Sequence, residues 1–296
     1  MSKKPLTRDE QFLAKAAGDD VPMPKPLTRV QEFLERIVER LSGSVTEETL
    51  SNAIAPLNAS IAQLSRKTIQ FRHGKGTFTA TATGTNVVWQ YGEQQAQGSN
   101  CTFDVKSDNG LICIDFDSIT SLTVSDDAAL KMCLSDLGGK ITNALGLSGC
   151  TSITGDLSDL GGKITSFLSL YGCTNVTGDL SDLGGKITNT LNLVGCTNVT
   201  GDLSDLGGKI TNILSLGNCT NITGIYTGTT YPKMFTVSRT SITAADMDAN
   251  LINFAASGVK SGKFTAAGMK RTAASDNAVA TLVANGWTVS GLTKEG

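Results

Sequence analysis

The 296-residue chain reads as a mixed but mostly β protein whose centre is a repeat solenoid with a 23-residue period. Three observations point there. The string LSDLGGKIT recurs unchanged from Leu134, Leu157, Leu180 and Leu203, so the glycine pairs Gly138-Gly139, Gly161-Gly162, Gly184-Gly185 and Gly207-Gly208 are evenly spaced. Each unit also carries Leu-x-Leu-x-x-Cys-x-x-Ile or Val, as at Leu168, Leu170, Cys173 and Val176, and the alternation puts both leucines on one face of a short strand. Finally, 32 glycines and only 5% aromatics suit short strands and many turns better than an aromatic-rich core.

Residues 1–43 predict a two-helix arm. Pro5, Leu6, Thr7 and Arg8 return as Pro26, Leu27, Thr28 and Arg29, and Phe-Leu follows each copy, as Phe12-Leu13 and Phe33-Leu34. Thr7 with Glu10 and Thr28 with Gln31 form capping boxes, so a helix starts at each. The second follows the stripe Val30, Phe33, Leu34, Ile37, Val38 and Leu41 up to Gly43. The first is short and stops at Gly18, and the proline-rich Val21–Pro26 between them is extended. Two short helices on a strap cannot build a core, so they are expected to pack on something else.

Residues 44–67 predict a short coiled-coil stalk. Leu50, Ile54, Leu57, Ile61 and Leu64 step by four and three, with Ile at a and Leu at d. Pro56 disturbs a continuous helix. The seam sets a homo-oligomer, with dimer and trimer both open. Residues 68–117 predict a small β domain with strands at Thr77–Thr83 and Val87–Tyr91. Its basic-aromatic stretch Phe71–Gly76 reads as a strand end and turn, and the net charge of −2 argues against a nucleic-acid partner.

Residues 118–242 hold the repeats, including a degraded first copy at Leu122, Val124, Asp127, Leu130, Leu134 and Leu137. From Ile119 to Ile242 the pattern resembles the leucine-rich-repeat family. That resemblance implies a parallel sheet along one side and short turns or 3₁₀ segments along the other. Cys150, Cys173, Cys196 and Cys219 fall in one column and read as buried free thiols, because a metal site wants close Cys pairs with His partners and the chain has one His. The glycine–lysine string is not a phosphate loop, since Ile164 rather than Ser or Thr follows Lys163. The glycine pairs read as turns and the lysines as a solvated column. The Asp columns (Asp136, Asp159, Asp182, Asp205 and Asp156, Asp179, Asp202) would offset the lysine charge, and they lack the clustering of a calcium loop. Asn175-Val-Thr177 and Asn198-Val-Thr200 read as turn residues.

Three columns vary while the rest stay constant: Ala144/Phe167/Thr190/Ile213, Gly146/Ser169/Asn192/Ser215 and Ser148/Tyr171/Val194/Gly217. They occupy the outward strand positions and read either as drift at exposed sites or as a ligand-facing surface. The candidate ligand-binding set is Phe167, Ser169, Tyr171, Thr190, Asn192, Val194, Ile213 and Ser215. Residues 243–296 predict an α/β capping segment: a helix over Ala245–Ser257, a strand over Lys263–Ala267, a helix from Ser275 to Ala284, and a last strand Trp287–Val289.

The doubled "PLTR…FL" arm resembles the N-terminal attachment segments of head-fibre and related virion proteins of tailed phages. The stretch SDNAVATLVANGWTVS resembles the closing segment of leucine-rich surface and phage proteins from gut bacteria. These resemblances imply a non-enzymatic head-fibre or decoration protein, made in the host cytoplasm and displayed on the virion surface. Pro5, Leu6, Thr7, Arg8, Phe12, Leu13 and their second copies would anchor it to a capsid or other virion protein. The repeats would face a host-surface glycan or protein. A tail-fibre receptor-binding protein and a bacterial leucine-rich interaction protein outside any virus are the alternatives. MSKKPLTRDEQ has no apolar run after its basic residues, so neither a secretory signal nor membrane insertion is expected. No cofactor, metal or catalytic residue is expected; one histidine supports no Cys-His or Ser-His-Asp arrangement.

Overall fold

Alternating leucines and left-handed glycines give each 23-residue unit the same path. A unit runs through a short strand such as Phe167–Ser169, bends, forms a second strand Asn175–Asp179, and turns through the 3₁₀ helix Leu180–Leu183. Gly184 and Gly185, both with φ near +60°, then return the chain to the next first strand, Thr190–Asn192. The computed structural model describes Ala55 and residues 66–295. The predicted arm and the heptad residues Leu50, Ile54, Leu57, Ile61 and Leu64 lie outside the described residues.

From Lys67 to Gly296 the chain forms one compact unit, mostly β, with few helices. The first strands of successive repeats pair in parallel without register shift, so Leu145, Leu168, Leu191 and Leu214 lie side by side. The second strands, Thr154–Asp156, Asn175–Asp179, Asn198–Asp202 and Asn221–Thr223, form their own parallel sheet. Between the sheets the columns of Leu, Cys and Ile or Val are completely buried. Each such leucine contributes about 1.5–3 kcal/mol relative to exposure. Close approach of neighbouring units depends on Gly155, Gly178 and Gly201: Gly178 has φ +108°, and a Cβ there would stand 2.6 Å from the Leu157 nitrogen.

The Asn-Val-Thr segments were expected as turns and are strands instead. Their backbones pair with the unit before, and that pairing overrides the turn preference of asparagine.

Residues 67–117 do not stand apart from the repeats. Strand Ser118–Thr123 is parallel to Ile141–Gly146 on one side and antiparallel to Gly76–Thr85 on the other. The repeat sheet therefore continues into Gly76–Thr85 and Asn100–Val105 and reaches ten strands. Behind it a five-stranded sheet, running Gln94–Gln97, Val88–Tyr91, Gly110–Phe116, Lys67–His73 and Leu130–Lys131, closes over Phe78, Trp89 and Phe116. The two predicted strands appear as Gly76–Thr85 and Val88–Tyr91. His73 is buried there; its Nε2 meets the Asp127 carboxylate at 2.9 Å and joins this region to the first repeat.

At the other end the second sheet stops at Thr223, but the ten-stranded sheet runs on, its last three strands being the parallel Met234–Thr236, Lys263–Arg271 and Thr288–Lys294. Their return segments are the helices Ala244–Ala256 and Asp276–Ala284. The first is capped by Thr243, whose hydroxyl accepts the Asp246 amide. Ser275 precedes the second helix without capping it, because its hydroxyl donates to the buried Asp248 at 2.5 Å. Burial alone would raise the Asp248 carboxyl; hydrogen bonds from Ser275 and Thr272, with Arg271 nearby, hold it below its ordinary value. Trp287 is 3% exposed, stands edge-on to Phe254, and donates its indole N–H to the Val259 carbonyl. It closes the aromatic cluster of Tyr226, Phe235, Phe254 and Phe264. The last strand begins after it, not at it.

Candidate functional site

Most periodic side chains are occupied in tying one unit to the next. Asn175, Asn198 and Asn221 donate to the Thr151, Thr174 and Thr197 carbonyls of the unit before. Thr165, Thr188 and Thr211 do the same to Thr142, Thr165 and Thr188 at 2.9–3.1 Å. Cys173, Cys196 and Cys219 point their thiols at the Leu147, Leu170 and Leu193 carbonyls, and all four ladder cysteines are free and buried. Burial pushes the thiol of Cys150 up to about 11 and those of Cys173 and Cys219 up to about 12, and raises Cys196 as well. Thiols held this far from ionisation are inert packing groups.

Among the described residues the Asp columns form no ion pair with the turn lysines; they cap helices instead. Asp156, Asp179 and Asp202 are N-caps of the 3₁₀ helices, and Asp159, Asp182 and Asp205 accept the cap residue's own amide in return. Hydrogen bonds from the Ser158 hydroxyl and amide hold Asp156 below the usual carboxylate range, and the Ser181 amide and hydroxyl do so for Asp179. The free carboxylate edge of each cap then accepts a threonine hydroxyl from the next unit, as Asp156 does from Thr177 at 3.0 Å. In the first unit Cys133 takes the cap position, with no side-chain cap bond. Lys163, Lys186 and Lys209 are exposed, and the glycine–lysine string is the turn between sheets.

The outward face of the ten-stranded sheet is built differently. Its first column runs Ala144, Phe167, Thr190, Ile213, Met234 and Lys263. The middle column runs Thr123, Gly146, Ser169, Asn192, Ser215, Thr236, Thr265 and Ser290. Backbone pairing places Ser148, Tyr171, Val194, Gly217 and Ser238 in the third. A hydroxyl and amide ladder is thus flanked by two mixed columns that carry Phe167, Ile213 and Met234 on one side and Tyr171 and Val194 on the other. Tyr171 is 50% exposed and Met234 37%, while Phe167, Asn192, Val194 and Ile213 are half-buried.

Sequence reasoning took all these positions as exposed, but Gly146 and Gly217 are buried, and so are three with polar side chains. Ser169, Thr190 and Ser215 keep only 3%, 5% and 7% of their surface. They are short side chains set between taller neighbours, Thr190 between Phe167 and Ile213, on strands spaced about 4.8 Å apart. Ser169 shares a 2.6 Å hydrogen bond with Ser148, and Asn192 Oδ1 accepts the Val194 amide, which leaves its NH2 without a partner among the described residues. The hydroxyls of Thr190 and Ser215 have no side-chain hydrogen bond among the described residues. Further along the same column, Thr265 Oγ1 is fully enclosed without a partner. Thr236 and Thr265 were missed as members of the face. The triads Phe235-Thr236-Val237 and Phe264-Thr265-Ala266 repeat the Leu-x-Leu alternation with larger flanking residues, which is the signal that could have found them.

A shallow groove of about 510 Å³ lies where the second sheet ends, lined by Asp202, Ser204, Thr223, Gly224, Ile225, Thr227 and Asp246. Asp202 and Asp246 already accept hydroxyl hydrogen bonds from Thr223 and Ser204, and from Thr243. Among the described residues no three His, Cys, Asp or Glu side chains converge as a metal site, and no helix is long and apolar enough to cross a membrane. Comparisons with family models, curated proteins and solved structures find no match.

Proposed function

We propose that this chain is a non-enzymatic attachment protein, a head fibre or decoration protein of a tailed phage. In this reading Lys67–Gly296 is a leucine-rich-repeat solenoid extended at both ends, the doubled arm grips a capsid or other virion protein, and the heptad sets a dimer or trimer. The ten-stranded sheet turns its outward face to a host surface. The observation that carries the reading is the contrast between the two sides of each repeat. Constant threonine, asparagine and cysteine side chains are committed to bonds between units, whereas the varying ones are gathered on one continuous face. The resemblance of Pro5–Leu34 to phage attachment segments supports the virion location.

Deleting residues 1–43 tests the anchoring half. Particles grown with the truncated gene should lack the protein, while the truncated chain accumulates folded in the lysate. Incorporation at the normal level would remove the arm's role. Tyr171→Ala tests the other half: particles carrying it should attach to host cells more weakly, and unchanged attachment would rule out this face.

A further inference from the structure

We infer that the outward face around Thr190, Asn192 and Ser215 is a binding site for an uncharged, hydroxyl-rich chain, that is, a neutral glycan. The inference rests on the attachment reading above and names the ligand class of that same face.

Charge comes first. The chain carries 25 basic and 27 acidic residues, yet none occupies the three outward columns from the unit of Ala144 through that of Ile213. The charged columns of the repeat, the capping aspartates and turn lysines, lie on other sides of each unit. A face without charge offers no complement to an acidic polysaccharide, a phosphate or a basic peptide. What it offers is hydroxyls, one amide NH2 with no partner among the described residues, and the aromatic or branched side chains of Phe167, Tyr171, Val194 and Ile213.

Unused hydrogen-bonding capacity is the second observation. A hydroxyl removed from water without a partner costs free energy, so buried polar groups in folded proteins are normally paired. The threonine, asparagine and serine ladders elsewhere in the repeat obey this rule. Thr190 and Ser215 meet it another way: the residues are more than nine-tenths buried, but their hydroxyls, which have no side-chain partner among the described residues, stay open to solvent on the outward face. Asn192 is in register with Ser215, and its NH2 has no partner among the described residues. A ligand that donates and accepts through its own hydroxyls satisfies all three groups, which an apolar ligand does not.

The third is shape. Phe167 leans over Gly146, where a Cβ would meet its ring at 3.6 Å, and Tyr171 stands half-exposed on the opposite rim. A sugar ring has apolar C–H faces and a polar edge, so it stacks on such aromatics while its hydroxyls reach the middle column. The columns repeat at the strand spacing of about 4.8 Å, which suits a polymer laid along them rather than a single compact ligand.

The test uses the full chain in calorimetric titrations with malto-, cello- and manno-hexaose as neutral probes and polygalacturonate as the acidic one. At least one neutral hexaose should bind, and Tyr171→Ala and Asn192→Ala should each weaken it about tenfold or more. Thr190→Val, equal in shape, should weaken it without altering the fold. The inference is overturned if none of the neutral probes binds, if polygalacturonate binds in preference, or if the variants bind as well as the parent. Loss of host attachment by Tyr171→Ala particles, with no neutral hexaose bound, would sink the glycan assignment and leave the attachment reading standing. A protein receptor would then be the partner.

Discussion

The two sides of one repeat use the same residue types for opposite ends. Thr188 lies on the returning turn and gives its hydroxyl to the carbonyl of Thr165, as Thr165 and Thr211 do in their own units. Thr190, two residues on, faces outward and gives its hydroxyl to no side-chain partner. Where the repeat is constant, most polar groups hold their own or the neighbouring unit; where it varies, Thr190 and Ser215 keep hydroxyls with no side-chain partner among the described residues. Constancy here marks assembly of the stack, and variation marks the surface the stack presents.

Substitutions that break or sharpen this contrast fall into an order of size. Leu191→Ala, in the fully buried leucine column, should lower unfolding free energy by about 2–5 kcal/mol in urea denaturation. A loss close to zero would mean that the parallel stack does not have this core. Gly178→Ala should cost about 1–3 kcal/mol, because its backbone sits at φ +108° and the added carbon runs into Leu157. The outward Gly217, whose added Cβ would meet its neighbours no closer than 3.6 Å, should accept alanine with little change.

Asp179→Ala should cost about 0.5–2 kcal/mol by removing a cap. The cap also makes stability depend on pH. The folded carboxyl of Asp179 lies below its unfolded value, so its contribution is present above about pH 4 and is lost as pH falls through the folded value. Asp179→Asn should therefore flatten the acid side of a stability–pH curve and leave neutral pH nearly unchanged. A steeper acid limb would contradict the capping role. The smallest effects divide the two threonines: Thr188→Val should lose about 0.5–1.5 kcal/mol, and Thr190→Val should stay within about 0.5 kcal/mol of the parent. Equal losses at both positions would erase the distinction.

The period, the leucine columns and the free cysteine column could be read from the sequence because each repeats at a fixed spacing. What escaped had other causes. The strand Asn175–Asp179 holds Asn, Gly and Asp, all poor strand formers, and exists because its neighbours in the stack pair with it. The continuation of the sheet past Thr236 escaped because helices lengthen the return path and hide the period behind Phe264. The join at Ser118–Thr123 escaped because it is parallel on one side and antiparallel on the other, which no local pattern encodes. In the site, the outward direction of Phe167, Thr190 and Tyr171 followed from alternation alone. The burial of Thr190 and Ser215 did not, since it depends on the height of neighbours one unit away.

The double variant Thr190→Val with Ser215→Ala puts the central claim to one measurement: urea midpoint and neutral-hexaose affinity on the same purified full-length protein. If these hydroxyls are kept for a ligand, the midpoint stays at the parent value while affinity falls about tenfold or more. A lowered midpoint with unchanged affinity would show that they serve the fold, and the outward face would lose its claim to be the functional surface.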